Sequence, residues 1–226
     1  MHAHRRAGQR GLSLVELMVG IVIALFVVAA AATLVAGQLR EHRALLLEAR
    51  LMQDLRTAAD LIARDLRRAG HWGAAAEGGW AAGAPAARSN PYAALAPLGA
   101  ASDAALVRYS RDVVENHIVD SNEQFGFRLR AGAVEIQLGD GNWQALTDAG
   151  TLRVTAFEIV PESREIELGG FCTAPCTAGS AACPRQQVRS LAVVVGGRLV
   201  ADAGVTRSLR SRVRLRNDSV TGACPA

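Results

Sequence analysis

The chain lacks lysine altogether and is poor in aromatic residues. All 25 basic residues are arginine, and Phe, Trp and Tyr make up only 4% of the 226 residues. The missing lysine indicates a compositional bias rather than a function. The formal net charge is +4, but three arginines and no acids lie in the first eleven residues. Without that segment, 22 basic residues face 21 acidic ones, which argues against a strongly basic nucleic-acid-binding domain.

The sequence also lacks the motifs of common active sites. It contains no phosphate-binding loop, no HExxH zinc motif and no nucleophile elbow. Its five histidines are scattered, at positions 2, 4, 42, 71 and 117. We therefore predict that the protein is not an enzyme and has no catalytic residue, no cofactor and no metal site.

The most prominent feature that is present is an apolar run near the N-terminus. Residues 12–36 contain a single charged residue, Glu16, and follow the short basic segment MHAHRRAGQRG. As a helix, this run would span about 37 Å at about 1.5 Å per residue, enough to cross a hydrocarbon core of about 30 Å. No proline occurs before Pro85, so we expect the helix to be continuous.

Two ordinary interpretations of this run leave Glu16 unexplained. A secretory signal peptide also begins with positive charge and ends in small residues, but its apolar core is about 7–15 residues long. A plain membrane anchor fits the length of the run. An ionisable residue at mid-membrane, however, costs roughly 2.5–3.5 kcal/mol on insertion scales.

The stretch Gly11-Leu12-Ser13-Leu14-Val15-Glu16 resembles the prepilin signal of type IV pilins and type II secretion pseudopilins. The resemblance implies that a membrane peptidase cuts between Gly11 and Leu12 on the cytoplasmic side and methylates the new N-terminus at Leu12. Most members of the family have Phe at that position. The resemblance also implies that Glu16 acts in assembly, by pairing with the N-terminal amine of an adjacent subunit.

Two other roles for Glu16 remain open at this point. It lies four residues from Leu12, so on a helix it could meet its own amine. It could also simply occupy the helix N-terminus, where the helix dipole favours a carboxylate.

An amphipathic pattern continues the helix beyond the apolar run. Apolar residues recur three or four positions apart, and charged residues fill the other face. The apolar positions are Leu47, Leu51, Leu55, Ala58, Ile62 and Leu66. Gly70 is the expected end, since glycine supplies the left-handed residue that follows many helices. We predict a helix over residues 12–69 whose second half packs on a core; a coiled coil is disfavoured because the pattern lasts fewer than four heptads.

Residues 71–102 are dominated by Gly, Ala and Pro and show no periodicity, so we predict a long loop. Its aromatic residues are Trp72, Trp80 and Tyr92. We expect them to fix the loop to the core, although they would also suit a ligand platform.

The rest of the chain predicts antiparallel β-structure. Short segments rich in β-forming residues follow one another, and Asp140-Gly141 between two of them is a hairpin signal. The predicted strands are residues 104–110, 125–130, 133–138, 143–146, 152–160, 188–195 and 205–215. A long helix followed by successive strands indicates an α+β fold, with the amphipathic helix half on an antiparallel sheet. The pilin resemblance implies the same architecture.

Four arginines alternate with other residues near the C-terminus. They are Arg210, Arg212, Arg214 and Arg216. On one face of a strand they would suit an acidic partner, DNA or a neighbouring subunit. A solvated outer face, with Val213 and Leu215 packed inward, is the favoured interpretation, because no aromatic residue is interleaved for base stacking.

The four cysteines lie in the part that the resemblance places outside the cytoplasmic membrane. They are Cys172, Cys176, Cys183 and Cys224. Oxidation is permitted there, so we expect two disulfides, for which three pairings are possible. A zinc site is the alternative, but the spacing C-x3-C-x6-C departs from the usual paired motif.

Within the pilin-like proteins, the chain resembles the PilW family of minor pilins. The resemblance rests on QRGLSLVELMVG, on RDLRRAG at residues 64–70 and on VRLRN at residues 213–217. It implies a minor pilin that primes type IV pilus assembly and sits at the fibre tip. The implied partners are other minor pilins, the major pilin, the prepilin peptidase and the inner-membrane assembly platform. A J-type pseudopilin of type II secretion and a tip adhesin or DNA-binding module are the alternatives.

These expectations divide the chain into four parts. They are a prepilin leader (1–11), a transmembrane and filament-core helix segment (12–36), an amphipathic helix segment (37–70) and a periplasmic β-rich domain (71–226). We expect a single-pass protein of the bacterial inner membrane, with its N-terminus in the cytoplasm, that enters the pilus on assembly.

Overall fold

A computed structural model describes residue 11 and residues 13–78, 88–97, 99–177, 179–180 and 182–225. The chain divides into two compact units between Leu47 and Glu48. Within these described residues, one long helix precedes nine strands, which form antiparallel sheets. The predicted α+β, pilin-like fold class is confirmed.

Helix α1 spans Leu14–Leu66. It ends three residues before the predicted position because the next residues form a tighter turn. The N–H groups of Arg68 and Ala69 donate to carbonyls three residues back, at 2.9 and 3.1 Å, as in a 3-10 helix. Gly70 follows with a φ of 77°, which is the left-handed conformation expected of a residue that ends a helix.

The first sheet contains five antiparallel strands in sequential order. They are β1 (Leu95–Ala96), β2 (Ala104–Arg108), β3 (Gln124–Arg130), β4 (Ala133–Leu138) and β5 (Trp143–Ala145). Asp140 and Gly141 lie in the turn between β4 and β5, as predicted, and Gly141 has a φ of 71°. β1 lies inside the predicted loop, and its two residues are too few to produce a sequence pattern.

The remaining strands form a second sheet, so the predicted strands divide between two sheets. These strands are β6 (Leu152–Glu167), β7 (Arg185–Leu199), β8 (Thr206–Arg214) and β9 (Ser219–Thr221). Their order is β6-β7-β8, and β9 also pairs with β7. β6 continues through Pro161 to Glu167, seven residues past its predicted end, because it pairs with β7 along that whole length. As an edge strand it tolerates a proline that cannot donate a hydrogen bond.

The second half of α1 supplies the predicted apolar stripe to the core. Its buried residues are Leu51, Leu55, Ala58, Ala59, Ile62, Ala63 and Leu66. β6 and β7 contribute Ile159, Leu191 and Val193, which are likewise buried. Trp72 and Tyr92 are buried too, as expected for aromatic residues that fix a loop; Trp80 lies outside the described residues.

The two distant segments that carry the PilW resemblance lie in contact at the end of α1. The N–H of Arg216 donates to the carbonyl of Ala69 at 3.1 Å. The Nδ2 of Asn217 donates to the carbonyl of Gly70 at 3.0 Å. A Cβ on Gly70 would lie 2.9 Å from the Arg216 carbonyl oxygen, so only glycine fits at this crossing.

Candidate processing and assembly site

The helix of the first unit presents an apolar surface that no other part of the described chain covers. The first part of α1 is long and apolar enough to cross a membrane, and no side chain in this described apolar stretch is buried. Leu14 and Phe26, for example, are each 74% exposed. A surface of this kind needs lipid or other helices around it.

Glu16 caps the start of this helix. The N–H of Ser13 donates to Oε2 of Glu16 at 3.2 Å, and the N–H of Val15 donates to Oγ of Ser13 at 3.3 Å. This arrangement resembles a capping box, except that Oγ of Ser13 accepts from Val15 and not from Glu16, and it satisfies two N–H groups that a helix start leaves unpaired. The spacing S-x-x-E at residues 13–16 is its sequence signal. Among the roles considered for Glu16 from the sequence, only the alternative at the helix N-terminus anticipated this contact, and that alternative rested on the helix dipole.

This cap leaves one oxygen of Glu16 available. Within the described residues, Oε1 accepts no hydrogen bond, while Oε2 accepts the one from Ser13. An ionised carboxylate has about four lone-pair positions, so it can accept a second donor such as an ammonium group. Gly11 is exposed next to this cap, and Leu12 lies outside the described residues.

The four cysteines form two disulfides, Cys172–Cys224 and Cys176–Cys183. The structure therefore selects one of the three possible pairings. The first bond ties the C-terminal segment, including β9, to the loop that joins β6 and β7. Among the residues that the structure describes, no group of three or more His, Cys, Asp or Glu side chains is placed to hold a metal ion.

The arginine row, with Arg210, Arg212 and Arg214 on β8 and Arg216 just beyond it, faces solvent. Val213 and Leu215 are buried on the opposite side, at 1% and 4% exposure. Two of the row's guanidinium groups are already paired with acids. Nε of Arg212 lies 2.8 Å from Oε2 of Glu162, and Arg214 pairs with Asp218. This neutralisation makes the row a weaker site for an acidic polymer such as DNA.

Residues 111–120, which we call the tip loop, form a hydrogen-bonded loop that the sequence did not predict. Glu115 holds it: its carboxylate accepts the N–H of Gly73 at 2.9 Å, the N–H of His117 at 3.0 Å and the hydroxyl of Tyr92 at 3.1 Å. Burial raises the pKa of Glu115, but these hydrogen bonds outweigh burial and hold the pKa below its ordinary value. Nε1 of Trp72 also donates to Nδ1 of His117 at 3.2 Å.

Glu123 anchors both ends of the tip loop from the core. Its side chain is 0% exposed. Its carboxylate accepts the N–H of Arg111 at 2.6 Å and the N–H of Asp120 at 3.0 Å. The contact with Asp120 is local, because D-x-x-E at residues 120–123 is the spacing of a capping box. The contact with Arg111 joins residues 12 positions apart, and no local sequence pattern indicates it.

Two family models match the chain. The prokaryotic N-terminal methylation motif matches residues 6–32, which include Glu16 and the predicted cleavage position between Gly11 and Leu12. Prepilin peptidase-dependent protein B matches residues 44–215, about three quarters of the chain. No significant match was found among curated proteins or among solved structures.

The two matches agree with the fold and the N-terminal helix. The protein is a type IV pilin-like subunit, of a pilus or a pseudopilus, and proteins of this kind are structural subunits rather than enzymes. Its apolar N-terminal helix suits a membrane-anchored pilin. The chain belongs to the prepilin peptidase-dependent protein B family.

Proposed function

We propose that the protein is a minor pilin of the PilW type, which helps to prime type IV pilus assembly and sits at the fibre tip. The observation that carries this proposal is the placement of Glu16. It is the one acid in a long, uncovered apolar helix segment, and one of its oxygens has no donor within the described residues. In this proposal the peptidase cleaves between Gly11 and Leu12 and methylates Leu12.

Cleavage changes the charges around Glu16. It creates an ammonium group at Leu12, while Glu16 keeps its bond to the N–H of Ser13. Both charges lose water when the helix enters a bundle of apolar helices, and a buried charge without a partner costs about 3–5 kcal/mol. An ammonium group from a neighbouring subunit, donating to the free oxygen of Glu16, removes that cost. Docking is then favoured only in the register that brings the two charges together.

The remaining parts of the chain are assigned by the same proposal. Residues 12–36 cross the inner membrane and later enter the fibre core, with residues 37–70 and 71–226 on the periplasmic side. The two disulfides support this orientation, because disulfides persist in the oxidising periplasm and are rare in the cytoplasm. The proposed partners are other minor pilins, the major pilin, the prepilin peptidase and the inner-membrane assembly platform.

Processing is tested by measuring the N-terminus of the protein from cells with and without the prepilin peptidase. The proposal predicts a methylated chain that begins at Leu12 in the first strain and the uncut precursor in the second. A mature chain that begins at another residue would contradict it.

The choice between pilus and pseudopilus is tested by deleting the gene. We expect surface pili, recovered by shearing, to be lost while secretion of type II substrates continues. Loss of secretion with normal pili would assign the protein to a pseudopilus instead. If both are normal, an accessory role as a tip adhesin is the remaining possibility, and the minor-pilin proposal fails.

A further inference from the structure

The outer face of the first sheet holds a cavity of about 230 Å³. Side chains alternate between the two faces of a strand. Phe125 and Phe127 on β3 are buried in the core, so Gly126 between them lies on the opposite, outer face. Leu106 on β2 and Gln137 on β4 lie directly opposite Gly126 and share that face. The cavity therefore opens on the side of the sheet that faces away from the core.

Four polar side chains line this cavity without a partner in the chain. They are Arg108, Gln124, Gln137 and Asp140. Within the described residues, none of the four makes a side-chain hydrogen bond or an ion pair. Gln137 is only 5% exposed, and a buried amide without a partner destabilises a fold. Its amide is placed for a partner from outside the chain.

Gly126 gives the cavity its shape. A Cβ at this position would lie 2.6 Å from the carbonyl oxygen of Ala105 and 2.7 Å from Cδ2 of Leu106. It would also lie 3.4 Å from Oε1 of Gln137. Because the glycine has no side chain, Leu106 and the Gln137 amide can both lie close to the sheet. An apolar group and a polar group therefore stand side by side in the cavity.

The lining matches the chemistry of a neutral, hydroxyl-rich ligand. Arg108 and Asp140 cancel in charge, so neither a metal ion nor an anionic polymer is favoured. The two amides each donate and accept hydrogen bonds, as does a hydroxyl group. Leu106, Ala94 and Ala96 add apolar lining, which suits the C–H groups of a sugar ring.

The size and position of the cavity narrow the ligand further. At about 30 Å³ for each water-sized group, the volume holds roughly eight such groups, and it is smaller than the pockets of about 300–1,000 Å³ that hold drug-sized ligands. One sugar ring is of this size. An extended peptide pairs with the edge of a sheet, whereas this cavity lies on the face.

We propose that the cavity binds one neutral sugar residue, such as the terminal unit of a surface glycan. Gln124 and Gln137 bind its hydroxyl groups through their amides, Arg108 donates to its oxygens and Asp140 accepts from its hydroxyls. Solvent water makes these hydrogen bonds when no sugar is bound, and the sugar hydroxyls replace it. The inference goes beyond the proposed function and does not depend on it.

Sugar binding is tested by saturation-transfer NMR on the purified full-length protein. The detergent has an oligo(ethylene glycol) headgroup, because a sugar headgroup would compete for the site. The probes are the methyl glycosides of glucose, galactose, mannose and N-acetylglucosamine, with alanyl-alanine as the peptide probe. We expect at least one glycoside to bind with a dissociation constant in the millimolar range, as is usual for one small pocket, and the dipeptide not to bind.

Two variants locate the bound sugar. Gln137→Leu keeps the approximate size of the side chain but removes the amide, and we expect the dissociation constant to rise at least about fivefold. Its stability in urea should be unchanged or higher, since the amide has no partner in the described chain. Asp140→Asn leaves Asn-Gly at the turn, which is also a favoured hairpin sequence, and should weaken binding at least about threefold. Gln144→Leu, at an exposed glutamine of β5 outside the cavity, is the control and should bind like the wild type.

Four results would overturn the proposal. The first is no saturation transfer to any of the glycosides. The second is sugar binding that Gln137→Leu and Asp140→Asn leave unchanged, which would place the sugar elsewhere. The third is transfer to alanyl-alanine alone, which would assign the cavity to peptide. The fourth is a loss of stability in Gln137→Leu, which would give the amide a structural role. Failure of the proposed function is seen separately, as absence of the wild-type chain from sheared fibres.

Discussion

Removing the Cys172–Cys224 disulfide should destabilise the second unit more than removing Cys176–Cys183. A disulfide stabilises mainly by restricting the unfolded chain, and the effect grows with the length of the closed loop. The sequence separations are 52 and 7 residues. The loop-entropy relation then gives about 4 kcal/mol for the first bond and about 2.5 kcal/mol for the second at 25 °C.

The assay is urea unfolding of the full-length protein in detergent, followed by tryptophan fluorescence, to which the buried Trp72 contributes. Serine replaces both cysteines of one bond at a time, so that no free thiol remains to form a new pairing. Reductant breaks both disulfides, so reduced wild-type protein should lose at least as much stability as the less stable of the two serine variants. A Cys176→Ser, Cys183→Ser protein that loses as much as the Cys172→Ser, Cys224→Ser protein would refute the argument from loop length.

Three further predictions concern the core and the tip loop. Glu123→Gln should lower the free energy of unfolding by about 1–3 kcal/mol, because an amide at this buried position cannot accept both N–H bonds; urea unfolding measures it, and Glu165→Gln, an exposed position, should be near neutral. Leu55→Ala should cost about 2–5 kcal/mol by leaving a cavity, whereas Ala49→Gly on the exposed face should cost about 1 kcal/mol or less; equal losses would contradict the assigned helix face. The pKa of Glu115 is lowered in the folded protein, so its stabilisation is complete above the ordinary value of 4.5 and is lost as the pH falls through the lowered pKa. Glu115→Gln should therefore reduce the acid sensitivity of the melting temperature, and an unchanged pH profile would disprove that role.

Local patterns in the sequence were sufficient for most of the secondary structure. The spacing of Leu51, Leu55, Ile62 and Leu66 predicted the buried face of α1, because helical periodicity depends only on neighbours along the chain. The hairpin at Asp140-Gly141 was likewise a local signal. Strand β6 was underestimated, since its extension through Pro161 depends on pairing with β7 and not on its own residues.

The missed features depend on contacts between distant residues. Glu115 and Gly73 are 42 positions apart, and neither side of that bond has a distinctive sequence context. The disulfide pairing required the fold, since four thiols in sequence permit three arrangements. The contact between Ser13 and Glu16 is different, because its S-x-x-E spacing at residues 13–16 is a local pattern.

The most direct test of the central claim is the amount of Glu16→Ala protein in sheared fibres relative to that in the membrane. We expect this variant to be cleaved before Leu12 and inserted as usual, because the signal and the apolar segment are otherwise unchanged. Its share in fibres should fall at least about tenfold, since the neighbouring ammonium group loses its buried partner. Incorporation of Glu16→Ala at the wild-type level would contradict the account.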